Sequence, residues 1–511
     1  MSATQHRDDL PAQHDRSARP TTTALWLAVI VALGAALRLY QLGAESYWLD
    51  ENDTVRLAAL PLINLLRSLA TPDRAPLYYL LAHGWIRMVG NGEAAMRLLS
   101  ALAGIASVPL LFCVGRALLD QKVGLLAAAL LAVSEFAIRQ AQEVRYYSFV
   151  LLLTLLAAWC AIRARDHGRT SDFLALTITT LLLVSAHFYT LFWLAALWLY
   201  LLLRRPWTRG AAGTARQWLS WQALTVIGLL PLPLLAVRAL WRGKYKPLGW
   251  LSRPEPWAPV RDAVSYVIPQ HTPAIALAGF ALLALLLGGI AVVRWRASGG
   301  EREATRLPVE TLWLLGLWAA CPLLIPFILS WTVEPLYIDR YTVPALPAIL
   351  LLVAAGLLAL RSVLPLPLTV ALLAIPIVPG LANYYATPVN EQWREAAAYV
   401  DAQAQPGDIV VFAPADGMST AQSFGWYDRR ALPTCGIGIE LVTAAEIRAA
   451  LDRCGPTGRR WLVLRGGFET SNARGAQFAT YFIDAPPADR QRLDERHFTS
   501  LTVLLFSESI P

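Results

Sequence analysis

Charged residues are scarce in this chain of 511 residues: Asp, Glu, Lys and Arg together make up 16% of it. A typical soluble domain has about 25%, so the composition excludes an ordinary water-soluble globular protein. A glycine-rich phosphate loop in a strand–helix context is also lacking, which argues against a nucleotide-binding enzyme. The net charge is +8, yet no stripe of basic and aromatic residues lies outside the apolar runs, so we expect no nucleic-acid partner.

What the chain has instead is apolar sequence, 56% of all residues. These residues fall into runs of roughly 16 to 24, separated by short basic or proline-containing loops, and a helix needs about 20 to cross a bilayer. The pattern predicts a polytopic α-helical membrane protein with about eleven transmembrane helices.

The basic loops predict an orientation, because Lys and Arg accumulate in cytoplasmic loops. We expect residues 1–22 to be a cytoplasmic tail and residues 23–382 to be the transmembrane domain. Residues 41–94 would form a long first outer loop, with helices over 55–70 and 75–89 lying at the membrane surface. Residues 383–511 would then face outward from the inner (plasma) membrane.

The polar C-terminal part predicts a small extracytoplasmic α/β domain over 383–511. Asn390 is placed to cap a helix over 391–402, and strands are predicted at 408–412, 461–464 and 501–506. We expect a lid or docking domain without chemistry of its own. If this domain faces an oxidising compartment, Cys435 and Cys454 could pair, although their spacing alone does not decide it.

Acidic and basic side chains gather at the predicted outer ends of the helices. Asp50 and Glu51 follow the first span, and Glu143 and Arg145 follow the third. Neighbouring carboxylates repel each other, which allows one of them to act as a base. Guanidinium groups hold two phosphate oxygens at once, and the further candidates for such a role are Arg74, Arg340 and His187.

Simpler interpretations exist for single residues. Arg38, near the end of the first span, is expected to snorkel to the membrane surface. His187 lies between two apolar runs, as a hydrogen-bonded interfacial histidine would, and Glu143 with Arg145 could be a local ion pair. These interpretations leave the acidic pair after Trp48 and the matching cluster after the third helix unexplained.

Six short motifs follow one another in a set order. They are Trp48-Leu49-Asp50-Glu51, APLYYLL at 75–81, RLLSAL at 97–102, QEVRY at 142–146, AHFY at 186–189, and Asp339-Arg340-Tyr341 followed by 346–348. Their order and spacing resemble the bacterial branch of the GT-C membrane glycosyltransferases. That group contains the protein O-mannosyltransferases, the lipid A aminoarabinose transferase and dolichyl-phosphate-mannose-transferase-like proteins. The resemblance spans about residues 24–400.

The resemblance implies an inverting sugar transfer from a polyprenyl-phosphate donor to a hydroxyl of a lipid, polysaccharide or protein. Asp50 would be the general base or would orient the acceptor, and Glu51 would support it or help to bind a divalent cation. Glu143 matches a second acidic position near the donor phosphate and is the other possible metal ligand. The residues that would hold that phosphate are Arg74, Arg145, Arg340 and His187.

One motif departs from the pattern of the relatives, and it bears on the metal. Many relatives carry His-Pro-Pro where this chain has Arg74-Ala75-Pro76. A cation replaces a potential metal ligand, so Arg74 could neutralise the phosphate itself, and metal dependence is left open.

Two other functions use similar substrates: a transporter or flippase of lipid-linked glycans, and a glycan polymerase. Transporters tend to place charges at mid-membrane and to show repeated halves. Here the charges gather at helix ends and no clear internal repeat appears, so the pattern favours the transferase.

Overall fold

The computed structural model describes residues 20–71, 74–204, 212–230, 251–274, 277, 309–359, 365–415, 419–438, 443–455, 458–465 and 491–507. Most of the predicted N-terminal tail (1–22) lies outside the described residues, as do 231–250 and 278–308 of the predicted transmembrane domain.

Most of the described chain up to residue 386 is helical. The helices are α1 (Pro20–Leu39), α2 (Leu49–Ala59), α3 (Leu62–Leu69), α4 (Pro76–Val89), α5 (Glu93–Leu118), α6 (Gln121–Val133), α7 (Glu135–Ala141), α8 (Tyr147–His167), α9 (Thr170–Ala186), α10 (Leu191–Arg204), α11 (Ala212–Leu229), α12 (Ala258–Ser265), α13 (Val309–Thr332), α14 (Leu346–Ala359) and α15 (Leu366–Ala386). Two 3-10 turns, Phe188–Thr190 and Asp339–Ala345, precede α10 and α14.

Within the described ranges, six helices are long and apolar enough to cross a membrane, or seven if the bent pair α6–α7 counts as one span. This confirms a multi-pass membrane protein, while the total of eleven crossings and their orientation remain predictions. The first predicted outer loop contains the short helices α2, α3 and α4, in agreement with helices that do not cross the bilayer.

The bend between α6 and α7 explains an incorrect prediction. The two helices meet at 61°, which frees carbonyls that a continuous helix would satisfy. Arg38 is fully buried there and donates to the carbonyl oxygens of Leu131 at 2.9 Å and Ala132 at 3.1 Å. Arg38 therefore does not snorkel to the surface: it satisfies backbone groups that lipid cannot.

A mixed five-stranded sheet follows in the C-terminal part. Its strands are β1 (Ile409–Ala415), β2 (Thr434–Gly438), β3 (Arg460–Arg465), β4 (Arg492–Phe498) and β5 (Leu501–Phe506), in the order β2-β1-β3-β5-β4. β1 is parallel to β2 and β3, and β5 is antiparallel to β3 and β4. The two strands that were not predicted, β2 and β4, are the sheet edges, where an apolar run is not required.

Helices cover both faces of this sheet. Trp393 and Val400 of α16 (Trp393–Gln403) pack on one face, together with Phe424 of α17 (Ser419–Gly425). On the other face, Ile447 of α18 (Ala444–Arg453) packs with Leu462. Strands buried on both faces read as continuous apolar runs, which is why β1, β3 and β5 were predicted.

Two C-terminal details were open or incorrect. Cys435 and Cys454 form a disulfide, with their Cα atoms 5.7 Å apart. Asn390 does not cap α16, which begins at Trp393 after Gln392. The backbone N–H of Asn390 instead donates to Glu45 at 2.7 Å, so a contact with the membrane part takes the residue away from the helix end.

Candidate active site

The centre of the site is the first turn of α2. Carboxylates are favoured at a helix N-terminus because the helix dipole is positive there, and Asp50 and Glu51 both occupy this turn. The helix separates them by about 100°, and their surroundings differ accordingly. The Asp50 side chain is 32% exposed, whereas Glu51 is fully buried.

Glu51 forms a saturated buried ion pair with Arg97 of α5. Both of its oxygens accept from Arg97, at 2.9 and 2.7 Å, and they also accept from the backbone N–H groups of Val144 at 2.7 Å and Trp48 at 3.3 Å. Arg97 donates its three other N–H groups to the carbonyls of Leu42, Glu45 and Ser46. The pair therefore ties α2 to α5 and to the segment before α8.

Asp50 faces two cations from distant parts of the chain. Its Oδ2 lies 3.5 Å from Arg145 Nη2 and 3.5 Å from Arg340 Nη2. These separations exceed the 2.7–2.9 Å of a charge-assisted hydrogen bond, so the contacts are mainly Coulombic. The Nε atoms of both arginines are buried and have no hydrogen-bond partner in the described part of the chain. The Nη atoms of Arg145 already donate to the Asp50 carbonyl at 3.3 Å, to Thr54 Oγ1 at 3.1 Å and to the Tyr146 hydroxyl at 3.2 Å. The donors that remain for an incoming anion are therefore mainly those of Arg340.

Aromatic rings form the walls around these guanidinium groups. Arg340 lies 5.2 Å from the ring centre of Trp48, and Arg145 lies 4.8 Å from that of Tyr146. His187 stacks on Tyr146 at 4.6 Å and contacts Tyr341 at 4.5 Å. Cation–π contacts of this kind hold a guanidinium in place, and the Tyr146 hydroxyl also accepts a hydrogen bond from Arg145 Nη2 at 3.2 Å.

His187 belongs to this wall as a neutral ring. Its Nδ1 accepts a hydrogen bond from the backbone N–H of Tyr189 at 3.2 Å. Burial, followed by the charges of Arg145 and Arg340, lowers the pKa of His187 to about 3. The predicted role for His187 in phosphate binding is therefore limited to an N–H donor without a positive charge.

Glu143 lies directly before Val144, whose backbone N–H donates a hydrogen bond to Glu51. One of the Glu143 oxygens is 3.6 Å from Arg139 Nε, and the other is buried without a hydrogen-bond partner among the described residues. Burial raises the pKa of Glu143 to about 7. Glu143 and Arg139 line a small cleft of about 40 Å³, together with Tyr384 and Tyr385 of α15.

A second cleft of about 140 Å³ adjoins the first, and both are lined by Glu45, Tyr385 and Asn390. The two clefts lie between the segment before α2 and the linker that follows α15. The second cleft extends from the first toward Gln392 and Glu395, at the start of the C-terminal part.

Arg74, which is predicted to hold the donor phosphate, has an acidic partner within the chain. Arg74 pairs with Asp53 at 3.3 Å, and Asp53 also accepts from Arg56 at 2.8 Å. Asp53 lies about one helical turn after Asp50. The cation is therefore neutralised by a carboxylate that sequence analysis did not assign.

A divalent cation does not fit the Glu51 position, where it had been left open. Four donors already occupy both oxygens of Glu51, and metal ligands need free lone pairs. Among the residues that the structure describes, no group of three or more His, Cys, Asp or Glu side chains is arranged to hold a metal ion. Glu51 therefore has a supporting role, as the buried partner of Arg97.

Known proteins agree with this architecture. The structure of ArnT from Cupriavidus metallidurans bound to undecaprenyl phosphate matches with a TM-score of 0.51 and 13% identity, covering 94% of this chain and 98% of that chain. The chain has the GT-C fold. The apo form of the same ArnT protein matches with a TM-score of 0.48 and 13% identity, covering 95% of this chain and 98% of that one. The apo oligosaccharyltransferase of Archaeoglobus fulgidus matches with 0.48 and 12%, covering 90% and 71%.

A family model gives a second line of agreement. Residues 73–235, about a third of the chain, match the family described as dolichyl-phosphate-mannose-protein mannosyltransferase. No curated protein sequence matches the chain significantly. The family match and the ArnT structure with a TM-score of 0.51 support the resemblance to the GT-C glycosyltransferases.

Within this GT-C chain, sequence reasoning missed two residues of the site. Arg97 lies in the motif RLLSAL but was not assigned a role, although an arginine inside an apolar run is costly unless it is paired. Trp48 was named only as a neighbour of the acids. Its ring under Arg340 depends on a contact between residues 292 positions apart, which no local pattern reports.

Proposed function

We propose that this chain is an inverting glycosyltransferase. It would move a sugar from a polyprenyl-phosphate donor to a hydroxyl of a lipid, polysaccharide or protein acceptor, on the outer face of the inner membrane. The observation that carries the proposal is the partly exposed carboxylate of Asp50 at 3.5 Å from two guanidinium groups, those of Arg145 and Arg340, with all three residues at helix ends.

The chemistry assigns one task to each side of this arrangement. Arg145 and Arg340 bind the donor phosphate and stabilise the negative charge that grows on it as the bond to the sugar C1 breaks. The acceptor oxygen forms the new bond to C1 from the opposite face. Asp50 takes the proton of the acceptor hydroxyl, and the polyprenyl phosphate leaves with the bonding electron pair.

The cleft lined by Glu143 and the second cleft that adjoins it would supply a path for the acceptor. A carboxylate oxygen without a partner, a guanidinium and two tyrosine rings are groups that bind sugar hydroxyls and pack on sugar faces. This path leads to Glu143, next to the segment that holds Arg145. We therefore assign the clefts to the acceptor and the Asp50–arginine group to the reaction.

The charge distribution also favours a transferase over a transporter. Arg145 precedes α8, Arg340 precedes α14 and Asp50 opens α2. These charged residues all lie at helix ends, whereas transport sites lie near the middle of the membrane at broken helices.

The test begins with undecaprenyl phosphate, the lipid bound in the matching ArnT structure. Asp50→Asn should retain binding of this lipid by the purified protein, because the two arginines remain. Arg340→Gln should weaken binding about tenfold or more, the loss expected for one charge-assisted contact. In cells, envelope glycans are compared between a deletion strain and the same strain carrying wild-type or Asp50→Asn protein.

We expect wild-type protein to restore a glycan modification and Asp50→Asn to restore none at equal protein levels. A modification at the wild-type level with Asp50→Asn would overturn the base assignment. If the wild-type protein does not bind undecaprenyl phosphate, the assignment of the arginines to the donor phosphate is wrong.

A further inference from the structure

The six residues before Asp50 are hydrogen-bonded to the C-terminal part along most of their length. The carboxylate of Glu45 accepts from the backbone N–H groups of Val389 at 3.0 Å and Asn390 at 2.7 Å. Ser46 Oγ donates to the carbonyl of Glu391 at 2.7 Å. This segment, which has no regular secondary structure before Leu49, is thus held by hydrogen bonds to the linker that follows α15.

The sheet domain adds its own contacts to this segment. The Tyr427 hydroxyl accepts from the backbone N–H of Tyr47 at 2.8 Å and donates to Glu93 at 3.0 Å. Glu93 also accepts from Arg394 at 3.2 Å. The C-terminal part is therefore hydrogen-bonded both to Tyr47, just before α2, and to Glu93 at the start of α5.

Glu391 makes the contact nearest to the reacting group. Its Oε2 accepts from the backbone N–H of Leu49 at 3.1 Å and from Trp393 Nε1 at 2.6 Å. Its Oε1 accepts from Arg465 Nε at 2.6 Å. Arg465 is the last residue of β3, a central strand, so a chain of short contacts runs from the sheet to the residue before Asp50.

The position of this carboxylate has a defined physical effect on α2. The first N–H groups of a helix have no partner within the helix, and Leu49 is the first residue of α2. A negative side chain from outside both satisfies this N–H and interacts favourably with the helix dipole. Because Asp50 follows directly, the same contact fixes where its side chain points.

We infer that Glu391 is a positioning residue for the transfer reaction, through which the C-terminal domain holds Asp50 in register with Arg145 and Arg340. This inference rests on the proposed function. It changes the expectation for the domain from a separate lid to a part of the active-site framework. A loss of Glu391 should leave the phosphate-binding arginines in place and misplace the base.

The chain offers a matched control in Asp408. Its carboxylate accepts from Arg459 at 2.8 Å, from Trp461 Nε1 at 2.9 Å and from the backbone N–H of Gln405 at 2.9 Å. This set copies the partners of Glu391, an arginine, an indole and a backbone N–H, but lies within the sheet domain. Asp408→Asn therefore reports what damage to the domain alone does.

The first measurement is hydrogen exchange of the full-length protein in detergent. In Glu391→Gln, the amides of residues 49–52 should exchange about tenfold faster or more, because a hydrogen bond to a charged group is lost. Asp408→Asn should leave these amides unchanged and speed exchange in β1 and β3. Unchanged exchange at 49–52 in Glu391→Gln, or an equal increase in Asp408→Asn, overturns the inference.

The second measurement separates positioning from binding. Glu391→Gln should reduce the glycan modification in cells while its affinity for undecaprenyl phosphate stays at the wild-type value; Asp408→Asn should change neither at equal protein levels. An affinity loss as large as the loss of modification would show that Glu391 acts on the donor and would overturn the inference. Failure of the wild-type protein to bind the lipid would instead count against the proposed function, whatever the exchange data show.

Discussion

The buried pair of Glu51 and Arg97 predicts opposite phenotypes for two adjacent acids. Glu51 is fully buried and Arg97 is 2% exposed. Glu51 accepts four hydrogen bonds, and all five N–H groups of the Arg97 guanidinium donate. We expect Glu51→Gln to destabilise the protein strongly, because it leaves the Arg97 charge buried without a counter-ion. Asp50→Asn, one residue earlier, should affect stability little, because Asp50 is partly exposed and makes only long contacts.

The size of the effect follows from what each substitution leaves behind. Removing one partner of a buried ion pair costs about 3–5 kcal/mol, and Arg97→Met should fall in the same range. The double variant removes both charges but still strands the carbonyls of Leu42, Glu45 and Ser46. Its destabilisation should therefore be smaller than the sum of the single variants, without returning to the wild-type value.

The assay is unfolding of the four proteins in detergent, compared as a double-mutant cycle. The exposed pair Arg165–Asp166, with a contact at 2.7 Å, provides the control. Asp166→Asn should cost less than about 1 kcal/mol, as exposed pairs do. Additive effects of Glu51→Gln and Arg97→Met, or single variants as stable as Asp166→Asn, would refute the role given to this pair.

Two further predictions need no substrate. Burial raises the pKa of Glu143 to about 7, whereas an exposed glutamate has a pKa of about 4.3. Between these two pH values the folded chain therefore holds a proton on Glu143 that the unfolded chain releases. Stability should fall as the pH rises through this window, and Glu143→Gln should flatten that fall in unfolding curves recorded from pH 4 to 8; an unchanged slope would contradict the burial argument. The Cys435–Cys454 bridge closes a loop with a sequence separation of 19, so Cys454→Ser should destabilise the sheet domain by about 3 kcal/mol; if peptide mapping without reductant finds free thiols in protein from cells, the predicted oxidising location of this domain is wrong.

The membrane character and the approximate helix positions were readable from the sequence, because the bilayer demands long apolar runs and leaves little choice of structure. The central strands were readable for a similar reason, since burial on both faces requires continuous apolar residues. Edge strands β2 and β4 were not, because one side of an edge strand meets no partner. The acids at 50, 51 and 143 and the arginines at 145 and 340 were found as polar residues beside apolar runs.

Sequence alone thus determined which side chains are available for chemistry, since only 16% of the residues are charged and the acidic ones at the ends of apolar runs stand out. Only the tertiary structure decided their division of labour. Asp50 and Glu51 are adjacent carboxylates, and the turn of α2 directs one to Arg145 and Arg340 and the other to Arg97. Likewise, Arg74 and Arg340 carry the same group, but Asp53 neutralises the first while Trp48 holds the second beside Asp50. Such assignments depend on contacts between residues dozens to hundreds of positions apart, whose geometry no local pattern contains.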